Sequence, residues 1–183
     1  MPDLLPQQPG RFTIYACCDA LPGLVPAATP TAGCRCDPMP VTTLSGTACK
    51  RVEGFVRDAL GCACPPAVFG DIRLDRDPAG FPDIPGARLL AIGGRLLVLL
   101  VDAAATDMAA PQVNTLLRRG RDLRDAGGFN RFRLVIVEPQ GEHARMPATT
   151  GLDRVVRNDG RLHLHIIAPS QLPAMLRAPA EVQ

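Results

Sequence analysis

The chain has 183 residues, of which 46% are hydrophobic, 21% charged and only 4% aromatic. This length and balance are typical of one globular domain with an aliphatic core, and they exclude wholesale disorder. The formal net charge of +2 at pH 7 provides no general attraction to nucleic acid or to an anionic membrane. We therefore expect a single domain over residues 1–183, with neither a membrane nor nucleic acid as its partner.

The sequence also carries no obvious targeting signal. Residues 1–10 lack the basic and apolar regions of a secretory signal peptide. The longest apolar runs are far shorter than the ~20 residues that span a bilayer. Lys50 is the only lysine among 20 basic residues, an arginine excess that indicates a bacterial-like genome composition rather than phosphate recognition. We expect a cytoplasmic protein, whose cysteines stay reduced unless they bind metal or take part in catalysis.

In chain order, a short strand and a long loop come first. Residues 11–18 have the pattern of a strand that ends at Cys17 and Cys18. Residues 19–46 contain five prolines, which exclude a helix and disfavour a central strand. A loop of this length in a compact domain needs something to hold it, and Cys34 and Cys36 lie in its middle.

The clearest helix follows this loop. Apolar residues recur at the spacing of one helical face, at Val52, Phe55, Val56, Ala59 and Leu60. Thr47 is suited to the N-cap, and Gly61 to a left-handed residue at the C-terminal end. Cys49 falls in the first turn on the buried side, where the positive end of the helix dipole favours a thiolate.

The rest of the chain alternates between strands and helices. We expect strands at 71–75, 131–137 and 162–167, a β-hairpin over 88–101 around Gly93 and Gly94, and helices at 111–127, near 152–156 and from Ser170. The fold class is α/β: a single domain whose mixed sheet has a central β-hairpin and flanking helices, preceded by the Cys/Pro-rich loop. The order strand, helix, strand, hairpin, helix resembles that of thioredoxin-like folds, with Pro85 just before the hairpin. The long proline loop and two additional C-terminal strands depart from that order.

The cysteine-rich part, residues 17–64, predicts a metal site. Seven cysteines within 48 residues, followed by none in 119, do not have the distribution of ordinary core residues. Their spacing also lacks the C-x₂-C pairs of zinc fingers and ferredoxins. A helix between Cys49 and Cys62 spans roughly 18 Å, whereas thiolates on one zinc ion lie only ~4 Å apart. If strand 11–18, the helix and strand 71–75 form a βαβ-like unit, an iron–sulfur cluster or zinc is expected at Cys17, Cys18, Cys34, Cys36 and Cys49.

The same geometry places Cys62 and Cys64 at the opposite edge of the sheet. The Cys62-Ala-Cys64-Pro65-Pro66 turn has two interpretations. It is either a second, exposed thiol pair or a structural turn whose cysteines are buried beneath a loop.

Two pairs of polar residues on predicted strands are further candidates. His163 and His165 face the same side of their strand, which suits a metal pair, but we favour a solvent-facing side of an edge strand. Asp102 and Glu138 end two strands joined by a helix, so a parallel crossover would place them at one sheet edge. Two carboxylates there can hold Mg²⁺ or act as acid and base, although polar residues commonly end strands.

Three functions are compatible with these patterns. The leading hypothesis is an accessory or redox-associated protein that binds an iron–sulfur cluster or zinc. The alternative is a thiol oxidoreductase with Cys49 or Cys64 as the attacking thiolate. A third is an adaptor with a structural metal, in which an arginine-rich helix binds a protein partner. Six arginines lie between residues 118 and 133, where a solvated helix face is the simpler interpretation. No residue is assigned a catalytic role at this point.

Overall fold

The computed structural model describes residues 41–105, 108–138 and 158–177. The predicted strand 11–18, most of the proline-rich loop and the predicted helix near 152–156 lie outside these ranges, as do four of the cysteines. The described strands are β1 (Thr42–Leu44), β2 (Ile72–Asp75), β3 (Arg88–Ile92), β4 (Leu96–Asp102), β5 (Arg131–Val137) and β6 (Leu162–Ile167). The helices are α1 (Thr47–Gly54), which continues as one π-helical segment (Phe55–Ala59), and α2 (Ala110–Ala126). Short 3₁₀ segments occupy Pro66–Gly70, Pro169–Gln171 and Ala174–Leu176.

The six strands form one mixed sheet in sequence order, β1-β2-β3-β4-β5-β6. Strands β1 to β4 pair antiparallel, and β4, β5 and β6 pair parallel. The predicted central hairpin is confirmed as β3 and β4, joined by Gly93, Gly94 and Arg95. Both glycines have positive φ, at 54° and 61°, as the central residues of a type I′ turn require, and the Arg95 N–H closes this turn on the carbonyl of Ile92 at 3.0 Å. The α/β class is therefore confirmed.

Helices cover both faces of the sheet and create two cores. On the α1 face, named after the helix that covers it, Val52 and Val56 pack against Val98 and Leu100 of β4. On the opposite α2 face, Val113, Leu116 and Leu117 of α2 pack with Leu97, Leu99 and Val101 of β4. Because each face of β4 is covered, the strand is buried along almost its whole length, as its continuous apolar sequence indicates. None of the helices in the described ranges is long and apolar enough to cross a membrane.

Helix α1 follows the predicted apolar pattern but begins and ends differently. Val52, Val56 and Leu60 are buried, and Gly61 has the expected left-handed φ of 61°. The N-cap residue is Gly46 rather than Thr47. The last turn is widened, because the Leu60 N–H donates to the carbonyl of Phe55, five residues earlier.

Two predictions need correction. Residues 42–44, expected within the loop, form β1 and pair antiparallel with β2, so α1 connects antiparallel neighbours rather than the strands of a βαβ unit. The helix expected from Ser170 is instead two 3₁₀ turns, since Pro173 between them has no N–H to continue a helix.

Candidate functional site

The Cys62–Cys64 turn connects the end of the π-helical segment to the 3₁₀ helix at Pro66. Gly61 turns the chain, and the Cys62 N–H donates back to the carbonyl of Val56 at 3.1 Å. Cys62 and Cys64 form a disulfide across Ala63, with their Cα atoms 5.4 Å apart. Cys62 is 3% exposed and belongs to the core of the α1 face, whereas Cys64 is half-buried at its margin. The two cysteines are thus unequally exposed, which combines the two interpretations that the sequence left open.

Arg133 of β5 contacts the residues that lead into this turn. Its neighbours Phe132 and Leu134 belong to the core of the α2 face, so the Arg133 side chain is on the α1 face. Its Nη1 donates to the carbonyl of Leu60, two residues before Cys62, and lies 2.8 Å from Nε2 of His165. The residue is only 3% exposed, and within the described ranges its Nε has no hydrogen-bond acceptor. A cation is favoured at the C-terminal end of a helix, where the carbonyl groups are unpaired.

The two histidines of β6 do not face solvent as predicted. Both are half-buried on the α1 face, with His163 in register with Arg133. Leu164 and Ile166 are on the opposite face as expected, packed against the α2 core. Strand β6 is at the edge of the described sheet, as expected, but this side of it is only partly exposed, since Arg133 of β5 lies against His165.

The contact with Arg133 determines which ring nitrogen of neutral His165 carries the proton. Since a guanidinium only donates, Nε2 of His165 accepts, and the ring proton of the neutral form is on Nδ1. Burial, together with the positive charge of Arg133 and the neighbouring His163, lowers the pKa of His165 to about 4. Burial and the charges of Arg133 and Arg131 also lower the pKa of His163. Among the residues that the structure describes, the buried Nε2 of His163 has no hydrogen-bond partner.

Cys49 is the only described member of the predicted metal-ligand set. It is the third residue of α1 and half-buried against the core of the α1 face, as its position in the first turn indicated. Its Sγ donates to the carbonyl of Leu44 at 3.2 Å, which is a contact of a protonated thiol. The ranges that the structure describes contain no group of three His, Cys, Asp or Glu side chains able to hold a metal ion. The other predicted ligands, Cys17, Cys18, Cys34 and Cys36, lie outside those ranges.

The carboxylates at the strand ends are placed as predicted, but one already has a partner. Strands β4 and β5 are parallel, with Asp102 in register with Val137, so Asp102 and Glu138 lie at the same edge. Asp102 accepts a hydrogen bond from Nη2 of Arg88 at 2.8 Å, and Arg88 is 2% exposed. Asp102 therefore compensates a buried charge, which is a structural role.

The arginine-rich segment is not a uniformly solvated face. Arg124 is completely buried, and its terminal nitrogens lie 2.8 Å from a carboxylate oxygen of Asp125 and 2.9 Å from one of Asp159. Arg133 is buried as well. Neither was predicted, because an arginine count does not separate helix faces. The one available signal was the position of Arg133 inside a strand whose residues, apart from Arg131 and Arg133, are apolar.

A groove of about 610 Å³ lies between α1 and the C-terminal 3₁₀ turns. Its walls include Phe55 and Ala59 on one side and Leu172 and Pro173 on the other. Arg51, Asp58 and Arg177 supply its charged groups. This volume falls in the range of small-molecule sites, but the lining has mixed charge and the groove opens to solvent.

No protein-family model, curated protein or solved structure matches this chain. A functional assignment therefore depends on the chemistry of the site itself.

Proposed function

We propose that this protein carries out thiol–disulfide exchange through Cys62 and Cys64, with a dithiol protein as its partner. The observation that supports the proposal is the Cys62–Cys64 disulfide, which joins a buried cysteine to a half-buried one. A structural disulfide closing a loop of one residue removes little chain entropy from the unfolded state, so stabilisation alone does not account for it. In a reducing compartment, which the sequence predicts, disulfides are usually catalytic or redox-sensing.

The difference in exposure defines the direction of attack. A partner thiolate attacks the accessible Sγ of Cys64, the Cys62–Cys64 bond breaks, and Cys62 leaves as a thiolate. The second thiol of the partner, as its thiolate, then attacks the partner's own sulfur in the mixed disulfide and releases the Cys64 thiolate. Two electrons pass from the partner dithiol to the cysteine pair, and the partner becomes a disulfide. In the reverse direction Cys64 is the attacking thiolate, which is the role that the sequence left open for Cys49 or Cys64.

Two further features favour this chemistry. Pro65 and Pro66 follow Cys64 directly, and their restricted backbone limits the conformations of the turn in both redox states. The buried Arg133 cation lies at the helix end from which the turn starts. The order of elements along the chain, which is strand, helix, strand, hairpin and helix, resembles that of thioredoxin-like folds. We count this resemblance in favour of the same proposal.

The proposal is tested by equilibrating the full chain in dithiothreitol buffers of graded potential. Trypsin releases residues 58–73 as a peptide that contains Cys62 and Cys64 and no other cysteine, so mass spectrometry reads the state of this pair alone. We expect one reversible two-electron transition, and at least tenfold slower reduction of a small aromatic disulfide by the reduced Cys62→Ser and Cys64→Ser variants. Cys49→Ser is the matched control and should exchange at the wild-type rate. A pair that does not re-form its disulfide, or equal rates in all variants, would exclude this function.

Metal binding is the second candidate, supported by the position of Cys49. This residue follows β1 closely, at the point where the proline-rich loop enters the described fold. We propose that Cys17, Cys18, Cys34, Cys36 and Cys49 hold an iron–sulfur cluster or zinc, independently of Cys62 and Cys64. Elemental analysis of protein purified without chelator should then find about one site per chain. Cys34→Ser and Cys36→Ser should lose the metal, and the double variant at Cys62 and Cys64 should keep it. Metal-free protein with freely titrating thiols would exclude this candidate.

The adaptor hypothesis receives less support than either. Arg119 pairs with Asp83 at 2.6 Å and Arg121 with Asp122 at 2.8 Å. Because these arginines already have acidic neighbours in the same chain, the helix face offers a smaller positive surface than the sequence indicated.

A further inference from the structure

Three arginines are buried in the described fold, and they differ in their counter-charges. Arg124 has the carboxylates of Asp125 and Asp159, and Arg88 has that of Asp102. Arg133 is as deeply buried, but within the described residues it has only the carbonyl of Leu60 and the neutral ring of His165. A buried cation is normally paired with an anion, because neutral acceptors replace only part of its lost hydration.

The path of the chain indicates which buried group can become an anion close to the residue that Arg133 contacts. Leu60, to which Arg133 donates, is two residues from Cys62, so the two Cα atoms are at most ~7 Å apart. Cys62 is itself 3% exposed and carries no charge while it is in the disulfide. When that bond is broken, a thiol appears in the same poorly hydrated region. Burial alone would raise its pKa, and a nearby cation would lower it.

We propose that Arg133 is the electrostatic partner of the Cys62 thiolate that forms when the Cys62–Cys64 disulfide is reduced. This inference rests on the proposed exchange function. A partner dithiol supplies two electrons and two protons. Cys64 keeps one proton as a thiol, Cys62 remains a thiolate, and the second proton passes to solvent. Arg133 thereby makes Cys62 the better leaving group when the partner attacks Cys64, because a more stable thiolate leaves faster.

Other charged groups on the surrounding elements contribute less to this balance. They are Arg57 and Asp58 at the helix end, Arg131 on β5, and His163 and His165 on β6. Arg57 is paired with Glu53 at 2.9 Å, Asp58 and Arg131 are exposed, and both imidazoles have lowered pKa values. Arg133 is the one buried permanent charge in this set.

The test measures the pH dependence of alkylation at Cys62 in the reduced full chain. The Cys64→Ser background leaves Cys62 as the only thiol in the peptide 58–73, and iodoacetamide labelling is read by mass spectrometry. We expect a labelling midpoint at least one pH unit below the ~8.5 of a free thiol. Arg133→Gln should raise this midpoint by one unit or more, and Arg133→Lys, which keeps the charge, should restore most of the difference. Arg131→Gln removes an exposed charge from the same strand and should shift the midpoint by less than about 0.3 units.

A midpoint at or above 8.5 in the parent, or equal midpoints for Arg133→Gln and Arg131→Gln, would overturn the inference. Circular dichroism at each pH verifies that the variants are folded, and the lysine variant keeps the test valid if the glutamine variant unfolds. The two proposals fail separately. A pair that exchanges reversibly but has an unperturbed Cys62 midpoint disproves only the role of Arg133, whereas a pair that never exchanges disproves the function.

Discussion

The two faces of the sheet are built from the same strands but carry different chemistry. The α2 face is covered by one regular helix of 17 residues, and its buried cation, Arg124, has two carboxylate partners. The α1 face is covered by a short helix that widens into a π-helical turn, then by the disulfide turn and a 3₁₀ segment. It contains the paired Arg88 and Asp102, but also Arg133 without a described acidic partner and two histidines with lowered pKa values.

This difference separates stability from reactivity on the two sides of one sheet. Regular packing and paired charges favour a single stable arrangement, as on the α2 face. Unpaired buried polar groups and irregular helices are costly, and natural proteins retain them mainly at functional sites. The α1 face is therefore the side on which we expect chemistry, and the following predictions test that division.

The largest expected effect comes from the buried arginines. Arg124→Gln removes the counter-charge of Asp159, whose side chain is 17% exposed, and should lower the free energy of unfolding by about 3 kcal/mol. Arg133→Gln leaves no described carboxylate unpaired and should cost about 1 kcal/mol. Urea unfolding of the oxidised protein measures both. Equal losses would show that the charges on the two faces are held in the same way.

The second prediction compares two glycines, one in each helix. A Cβ on Gly120 of α2 would overlap the ring of Phe132, a fully buried residue of β5. Gly120→Ala must push the helix from the sheet and should destabilise the protein by about 2–3 kcal/mol. At Gly54 of α1 a Cβ would lie 3.8 Å from Asp58, an ordinary contact. Gly54→Ala should stabilise the protein by about 0.5–1 kcal/mol, because alanine is the better helix former.

Thermal unfolding of these two variants, side by side, is the measurement. A destabilised Gly54→Ala protein would mean that the widened helical turn depends on the glycine. A neutral Gly120→Ala protein would mean that the close approach of α2 to β5 adjusts at little cost.

The smallest effect concerns acid. The pKa of His165 is about 4 in the folded protein against 6.5 for a free side chain. Below pH 6.5 the unfolded chain therefore binds a proton that the folded chain does not, and stability decreases as the pH falls toward 4. Above pH 6.5 this group has no effect. After allowance for the partly exposed ring, the loss between pH 6.5 and 4 should be about 1–2 kcal/mol.

His165→Gln is the matched variant, because its side-chain oxygen can still accept from Arg133. The stability difference between the two proteins should change across this pH range and be constant above it. Asp83, Asp159 and His163 also have lowered pKa values, but both proteins contain them, so their effects cancel in the difference between the two. In Asp83 the cause is its hydrogen bond from Arg119. Burial alone would raise the pKa of Asp159, but hydrogen bonds from the Arg161 backbone and from Arg124 lower it by more. A pH-independent difference would indicate that His165 titrates normally.

Local patterns explain which parts of this protein could be predicted. The alternation and length of the apolar runs located β3 to β6, the two glycines located the hairpin, and the apolar stripe of α1 identified its buried face. These features depend on near neighbours in the chain. Strand β1 (Thr42–Leu44) could not be predicted, because three residues are too few to show an alternating pattern. Only their pairing with β2 makes them a strand.

The sequence by itself determined the α/β class, the parallel crossover through α2 that places Asp102 and Glu138 at one edge, and the separation of Cys49 from Cys62 by a helix. Each follows from the geometry of single elements. Only the tertiary structure decided which polar residues are buried and beside what. It placed Arg133, His165 and the carbonyl of Leu60 together, although 73 residues separate Arg133 from Leu60. Burial and charge pairing are properties of surfaces brought together from distant parts of the chain, and no periodicity within one element records them.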